Sequence, residues 1–210
     1  MRGNVPQAIS RRLVRGWAVS NLILLLLLAG HGVHAQDTVT WTTNSYPVTG
    51  STIGEIYQSM RQARVTRNNA TWDGLTEWNI NWRFALAESA GQCRVSSSST
   101  RTTITLTLPR WSAPTNATTA TRDEWRRYST ALAQHELGHA QFAQLAAAGV
   151  RKTMNEAQAE ADCEPLKKKL NADCNTVVEN FRKRDQEYDE RTRHGGTQGA
   201  ALIVPRPGPR

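Results

Sequence analysis

The sequence predicts an α+β domain in which a small antiparallel sheet, formed in the N-terminal half, packs on long helices from the C-terminal half. Three observations carry this expectation. Between residues 37 and 108, three segments alternate apolar and polar residues with a period of two. From Thr121 onward a capping box opens a stretch that neither Gly nor Pro interrupts until Gly138, as a long helix requires. Strands come first and helices afterwards, whereas a parallel α/β sheet would need them to alternate.

The first strand is expected from Asp37 to Val48, where Val39, Trp41, Tyr46 and Val48 stand among polar neighbours and Gly50 closes the segment. Thr52-Ile53-Gly54-Glu55 matches a capping box, and Ile53, Ile56, Tyr57 and Met60 follow at helical spacing, which predicts a helix over 52–64. Trp78, Ile80, Trp82 and Phe84 mark a strand from Leu75 to Leu86; Ile104, Leu106 and Leu108 mark another from Cys93 to Leu108. The Ser96–Thr100 run inside the latter reads as a turn or bulge. A second capping box, Thr121-Arg122-Asp123-Glu124, opens a long helix over about 122–148, with Gly149 as its stop. A shorter helical piece over 151–161 and a third long helix from Pro165 to about Arg191 complete the domain. Three prolines in Pro205–Arg210 predict a disordered tail.

The chain has 210 residues and a formal charge of +8. Four of its arginines, Arg2, Arg11, Arg12 and Arg15, precede the apolar run Leu22–Gly30, and Val33-His34-Ala35 supplies a cleavage site. This is the layout of a signal peptide over residues 1–35, the apolar run being too short for a spanning helix. The expected organisation is a leader over 1–35, a single domain over 36–200 and a tail over 201–210, with no membrane attachment after cleavage. Without the leader, 22 basic residues face 18 acidic ones on a mixed-sign surface, which argues against nucleic acid as a partner. Export to the periplasm or beyond permits disulfides. Asp162 and Pro165 open a helix that would hold Cys163 and Cys174 roughly 16 Å apart, too far to bridge. Cys93 is then one partner and Cys163 the favoured other; three free thiols are the alternative.

The chemistry lies in His135-Glu136-Leu137-Gly138-His139, an H-E-x-x-H string at the centre of the long helix. Residues four apart share a helix face, so both imidazoles can converge on one Zn²⁺, while Glu136, one step off that line, can take a proton from water activated by the metal. The competing reading is two solvated histidines on a surface helix. Leu132, Ala140, Phe142 and Leu145 around the motif favour a buried helix, where unpaired His and Glu would be costly. A catalytic zinc usually has three protein ligands. His31 and His34 lie in the leader, so elimination ranks His194 as the third; Glu156 and Glu160 are the acidic rivals.

Cys93-Arg94-Val95, Leu108-Pro109-Arg110-Trp111, the HELGH string, Cys163 and Tyr188-Asp189-Glu190-Arg191-Thr192-Arg193-His194-Gly195 together resemble domain-of-unknown-function family 922, secreted bacterial proteins regarded as zinc-dependent proteases. The resemblance runs from Tyr46-Pro47-Val48-Thr49-Gly50 to about Gly199, and Cys174 is extra to the pattern. It implies a zincin-like hydrolase in which the Tyr188–Gly195 segment folds back onto the motif helix. There, Gly195 and Gly196 would allow a sharp turn that presents His194, Tyr188 could donate to a developing oxyanion, and Asp189 could orient a ligand histidine or bind zinc itself. Ordinary roles for these two are a half-buried aromatic and a helix cap.

The expected function is therefore a secreted or periplasmic zinc metallopeptidase acting on a peptide or protein substrate, with His135, His139 and His194 on the metal, Glu136 as general base and Tyr188 as oxyanion donor. The alternatives are an envelope-associated binding protein with a structural zinc, or a hydrolase of other acyl groups.

Overall fold

The computed structural model describes residues 37–67 and 69–205; the expected leader and residues 206–210 of the expected tail lie outside them. Strand β1 (Thr38–Val48) leads to helix α1 (Ile53–Ala63), a small hairpin of β2 (Val65–Arg67) and β3 (Ala70–Trp72), and a long hairpin of β4 (Leu75–Ser89) and β5 (Gln92–Trp111). Two long helices come next, α2 (Thr119–Asn155) and α3 (Cys163–Thr192). The class is α+β as expected.

The sheet departs from expectation in one respect. Its order is β1-β5-β4, with β4 antiparallel to β5 but β1 parallel to it. Alternation fixes which face a strand buries, not its direction. Ala90 and Gly91, with φ of 50° and 70°, turn β4 directly into β5, as a two-residue hairpin demands. The long chain through α1 and both hairpins lets β5 return alongside β1 in the same direction, which a short loop could not do. Ala85 faces Ser97 and Leu86 faces Val95, so Ser96 is the extra residue of a bulge inside the serine run.

The helix boundaries also differ. Thr118, not Thr121, caps α2 by accepting a hydrogen bond from the Thr121 amide, so the helix begins one turn early. It then runs through Gly149 to Asn155; a side chain at 149 would press on Val177 of α3, so the glycine marks a close helix approach, not a stop. The helical piece expected over 151–161 is replaced by the end of α2 and a connection in which Glu160 pairs its backbone with Cys93. Beside that bridge, Cys93 is disulfide-bonded to Cys163, joining the sheet to the first residue of α3; Cys174 is a free, buried thiol.

Helices α2 and α3 form an antiparallel hairpin, with Gly149 beside Val177 and Gly138 beside Tyr188. Trp78, Ile80, Ile104 and Leu106 of the sheet pack on Ala140, Ala143, Ala147 and Val150 of α2, and Leu170 and Val178 of α3 close the same core. The small alanine face lets the motif helix lie close to the sheet. A second cluster, including Ile56, Met60, Tyr128 and Leu132, packs α1 on the first half of α2. The motif thus falls between two cores, where one helix is covered by several elements. Among the described residues, no helix is long and apolar enough to cross a membrane.

Candidate metal centre

His135, Glu136 and His139 lie on the covered side of α2 and are 3%, 3% and 8% exposed. The antiparallel partner brings the last turns of α3 across them, and Tyr188 and Asp189 flank the face of α3 that Asp185 occupies because they follow it by three and four residues. A Cβ at Gly138 would overlap the Tyr188 phenol, so glycine at the fourth motif position is what allows that ring to lie against α2.

Three ligand atoms converge. His135 Nε2 and His139 Nε2 are 3.2 Å apart, and each is 3.1 Å from Asp189 Oδ1. The outer nitrogens are already engaged. His139 Nδ1 donates to Asp185 Oδ1 at 2.7 Å, and His135 Nδ1 donates to Gln198 Oε1 at 2.9 Å. In neutral imidazoles both protons are then on Nδ1, so two nitrogen lone pairs and a carboxylate oxygen face one another. Such an arrangement repels itself unless a cation sits among the three atoms. Ligands of a tetrahedral zinc at ordinary bond lengths lie about 3.3 Å apart, close to the spacing found here. The group His135, His139 and Asp189 could hold a metal ion.

The electrostatics follow the same logic. Burial opposes charge on His139, but the hydrogen bonds and charges of Asp185 and Asp189 outweigh it and push the imidazole up to about 10. Burial likewise works against an ionised Asp189, yet the Nε2 contacts from His135 and His139, when a proton rather than a metal lies there, and the positive charge on His139 hold its carboxyl well below the usual range. The site favours concentrated positive charge facing a carboxylate, whether a proton or a metal ion provides it.

Glu136 points into a cleft of about 330 Å³ bounded by the same three residues, Trp72, Leu75 and Leu132. Thr76 donates its hydroxyl to Glu136 Oε2 at 2.8 Å, while Oε1 lies over Gly74, where a Cβ would come within 2.7 Å of it. Burial raises the Glu136 carboxyl above its ordinary value, against the pull of the Thr76 hydrogen bond and the histidines. The motif glutamate therefore shares the cleft with the candidate metal group.

Two sequence expectations land elsewhere. His194, ranked as the third ligand, is outside the three-residue group; it lines the cleft at its rim, about half exposed, with Nδ1 3.3 Å from Asp189 Oδ2 and its ring 4.7 Å from that of Trp72. The physical reason is the turn after α3. Arg193 and His194 both adopt left-handed backbone, φ 51° and 53°, which carries His194 past the metal group, leaving Asp189, one turn earlier on the helix, to point inward. Tyr188, expected as an oxyanion donor, does not line the cleft. Its ring stacks on His135 at 5.1 Å and meets His139 edge-on at 5.0 Å, and its hydroxyl accepts from Gln198 Nε2 at 3.1 Å. It supports the imidazoles from behind. Glu156 and Glu160 border a separate cleft near the start of α3.

Sequence reasoning missed Asp185, Gln198, Thr76 and Trp72. Asp185 carried a usable signal, since it stands one helical turn before Asp189. Gln198 and Thr76 carried none, being single polar residues far from the motif in the chain.

The family described as "Bacterial protein of unknown function (DUF922)" matches residues 43–195. The chain belongs to that family. The match includes the HELGH helix and the α3 segment from Asp185 to His194, so the DUF922 region contains all three residues of the candidate metal group. It ends three residues before Gln198. No curated protein and no solved structure matches the chain.

Proposed function

We propose that this DUF922 protein is a secreted or periplasmic zinc-dependent peptide hydrolase, zincin-like in its site, in which His135, His139 and Asp189 hold the ion and Glu136 is the general base. The observation that carries the reading is the convergence of two Nε2 atoms and one carboxylate oxygen beside a buried glutamate in the same cleft. Two imidazoles and one carboxylate suit zinc. When bound, the ion supplies Lewis acidity, making water more acidic and polarising an acyl oxygen.

The rest of the work falls to side chains. Asp185 and Gln198 keep both histidines in the tautomer that offers Nε2. Thr76 fixes one oxygen of Glu136, leaving the other to accept a proton from the attacking water and pass it to the leaving amine. Tyr188 holds the imidazole planes by stacking. Trp72 and His194 at the rim meet the substrate first. The leader expected over 1–35 and the Cys93–Cys163 disulfide support an oxidising, extracytoplasmic location. The alternative, a binding protein with a structural zinc, calls for four protein ligands, and among the described residues the group has three.

The test uses the chain without its leader, stripped with a chelator and titrated with zinc. One ion should bind, His135→Ala should abolish binding, and Glu136→Gln should bind the ion yet lose hydrolysis of a denatured protein substrate. Hydrolysis surviving in Glu136→Gln would remove Glu136 from its role; a wild-type chain that binds no zinc would remove the centre itself.

A further inference from the structure

The chain beyond α3 does not simply trail away from the site. Gly196–Gln198 form one short 3-10 turn, and Ala200 is buried in the cluster with Tyr128 and Leu132. Arg127 of α2 clamps the backbone on either side of Ala200: Nη1 donates to the Gly199 carbonyl and Nη2 to the Ala201 carbonyl, each at 2.7 Å. Glu124, one helical turn from Arg127 on the same face, accepts from the Ile203 amide at 2.7 Å and holds the Arg127 guanidinium. The clamped segment points Gln198 back at the motif. Its Oε1 accepts from His135 Nδ1 and its Nε2 donates to the Tyr188 hydroxyl, so one amide contacts both a candidate ligand and the ring stacked on it.

We infer that residues 195–203 form a strap that completes the metal centre, with Gln198 the positioning residue for His135 and Arg127 the positioning residue for the strap. This rests on the metal reading above, and it goes beyond the matched family region, which stops at residue 195. The argument is one of geometry and hydrogen-bond accounting. A buried imidazole whose Nδ1 lacks an acceptor can turn its ring or move its proton to Nε2, and either change removes the lone pair that a metal needs. On the other histidine that acceptor is Asp185, carried rigidly by α3. On His135 it comes from a segment without long secondary structure, so its position must be secured from outside. Two charge-assisted hydrogen bonds from one guanidinium to alternate carbonyls of the segment do this. Close packing adds to it: a Cβ at Gly195 would come within 2.8 Å of both His135 and Ala200, so the strap lies directly on the imidazole.

The experiment measures zinc affinity by competition with a chromophoric chelator, and the visible spectrum of the Co²⁺-loaded protein, for the leaderless chain and three variants. Gln198→Leu keeps the size and loses the acceptor; Gln198→Glu keeps an acceptor oxygen; Arg127→Met keeps the aliphatic stem and loses the fork. Gln198→Leu should weaken zinc roughly ten- to a hundredfold and alter the Co²⁺ spectrum, as loss of a ligand's supporting hydrogen bond does elsewhere. Gln198→Glu should stay within about threefold of wild type, and Arg127→Met should weaken zinc in the same direction as Gln198→Leu. Circular dichroism and melting of the chelator-treated forms check that each variant is folded. Equal affinities for wild type and Gln198→Leu would overturn the inference, as would a Gln198→Glu variant no better than Gln198→Leu. A wild-type chain that binds neither ion would instead strike the metal reading on which the inference rests.

Discussion

Asp185 ties His139 to the sheet: one carboxylate oxygen accepts from His139 Nδ1 at 2.7 Å and the other accepts from Trp78 Nε1 at 2.8 Å. A carboxylate is the group that satisfies both donors at once, because it only accepts. In Asp185→Asn, whichever way the amide is turned, an N–H faces another N–H. The expected result is a loss of about 1–3 kcal/mol of stability and a roughly ten- to hundredfold weaker zinc affinity, with the rest of the fold unchanged. Thermal melting and zinc titration check it; wild-type affinity in this variant would show that His139 needs no partner.

Gly138 is the place where Tyr188 crosses α2. Gly138→Ala would favour the helix by roughly 1 kcal/mol in isolation, but the added methyl meets the phenol that stacks on His135. Overpacking of this kind costs about 1–3 kcal/mol, so the variant should melt lower and bind zinc less tightly in spite of its better helix propensity. A higher melting temperature with unchanged zinc binding would be the opposite result.

The Cys93–Cys163 disulfide closes a sequence separation of 70 residues that contains the whole of α2. Its removal by Cys93→Ser with Cys163→Ser should cost about 4 kcal/mol through the larger entropy of the unfolded chain. Chemical denaturation of oxidised and variant protein measures this. Cys174, buried with its thiol pushed up to about 11, should resist alkylation in the folded protein and react only on unfolding.

Glu124 provides the pH dependence of the strap. The Arg127 hydrogen bond holds its carboxyl below the ordinary 4.5, with burial opposing and the Ile203 amide helping. A depressed folded value means that the tether is fully present above about pH 4.5 and is lost as pH falls through the lower folded value. The Ile203 amide resonance should therefore titrate with a midpoint below 4.5, and in Arg127→Met that midpoint should rise. A midpoint equal to that of an exposed glutamate would show that no tether forms in solution.

Most elements were legible in the sequence because they rest on short-range rules. The capping box at Thr52–Glu55 starts α1 where the sequence predicts, and Thr52 and Glu55 make both of its hydrogen bonds. Exclusion made Cys93 one partner of the disulfide, since two cysteines on one helix could not meet, and the fold then paired it with Cys163, the favoured candidate. The β2–β3 hairpin was not anticipated, because three-residue strands give too little periodicity to register. The end of α2 was misplaced for a different reason: Gly149 looks like a stop only until α3 is laid against it.

The same division runs through the site. The i, i+4 spacing of His135 and His139 and the offset of Glu136 are properties of a single helix, so the sequence alone determined that the two imidazoles would share a face with the carboxylate one step beside it. The third member of the group depended on how α3 lies along α2 and how the chain turns after Thr192. Elimination among histidines selected His194, but the hairpin register and two left-handed residues put Asp189 inward and His194 at the rim. Only the tertiary structure decided that, because a contact between residues 50 positions apart is set by packing of whole elements, and no local periodicity encodes it.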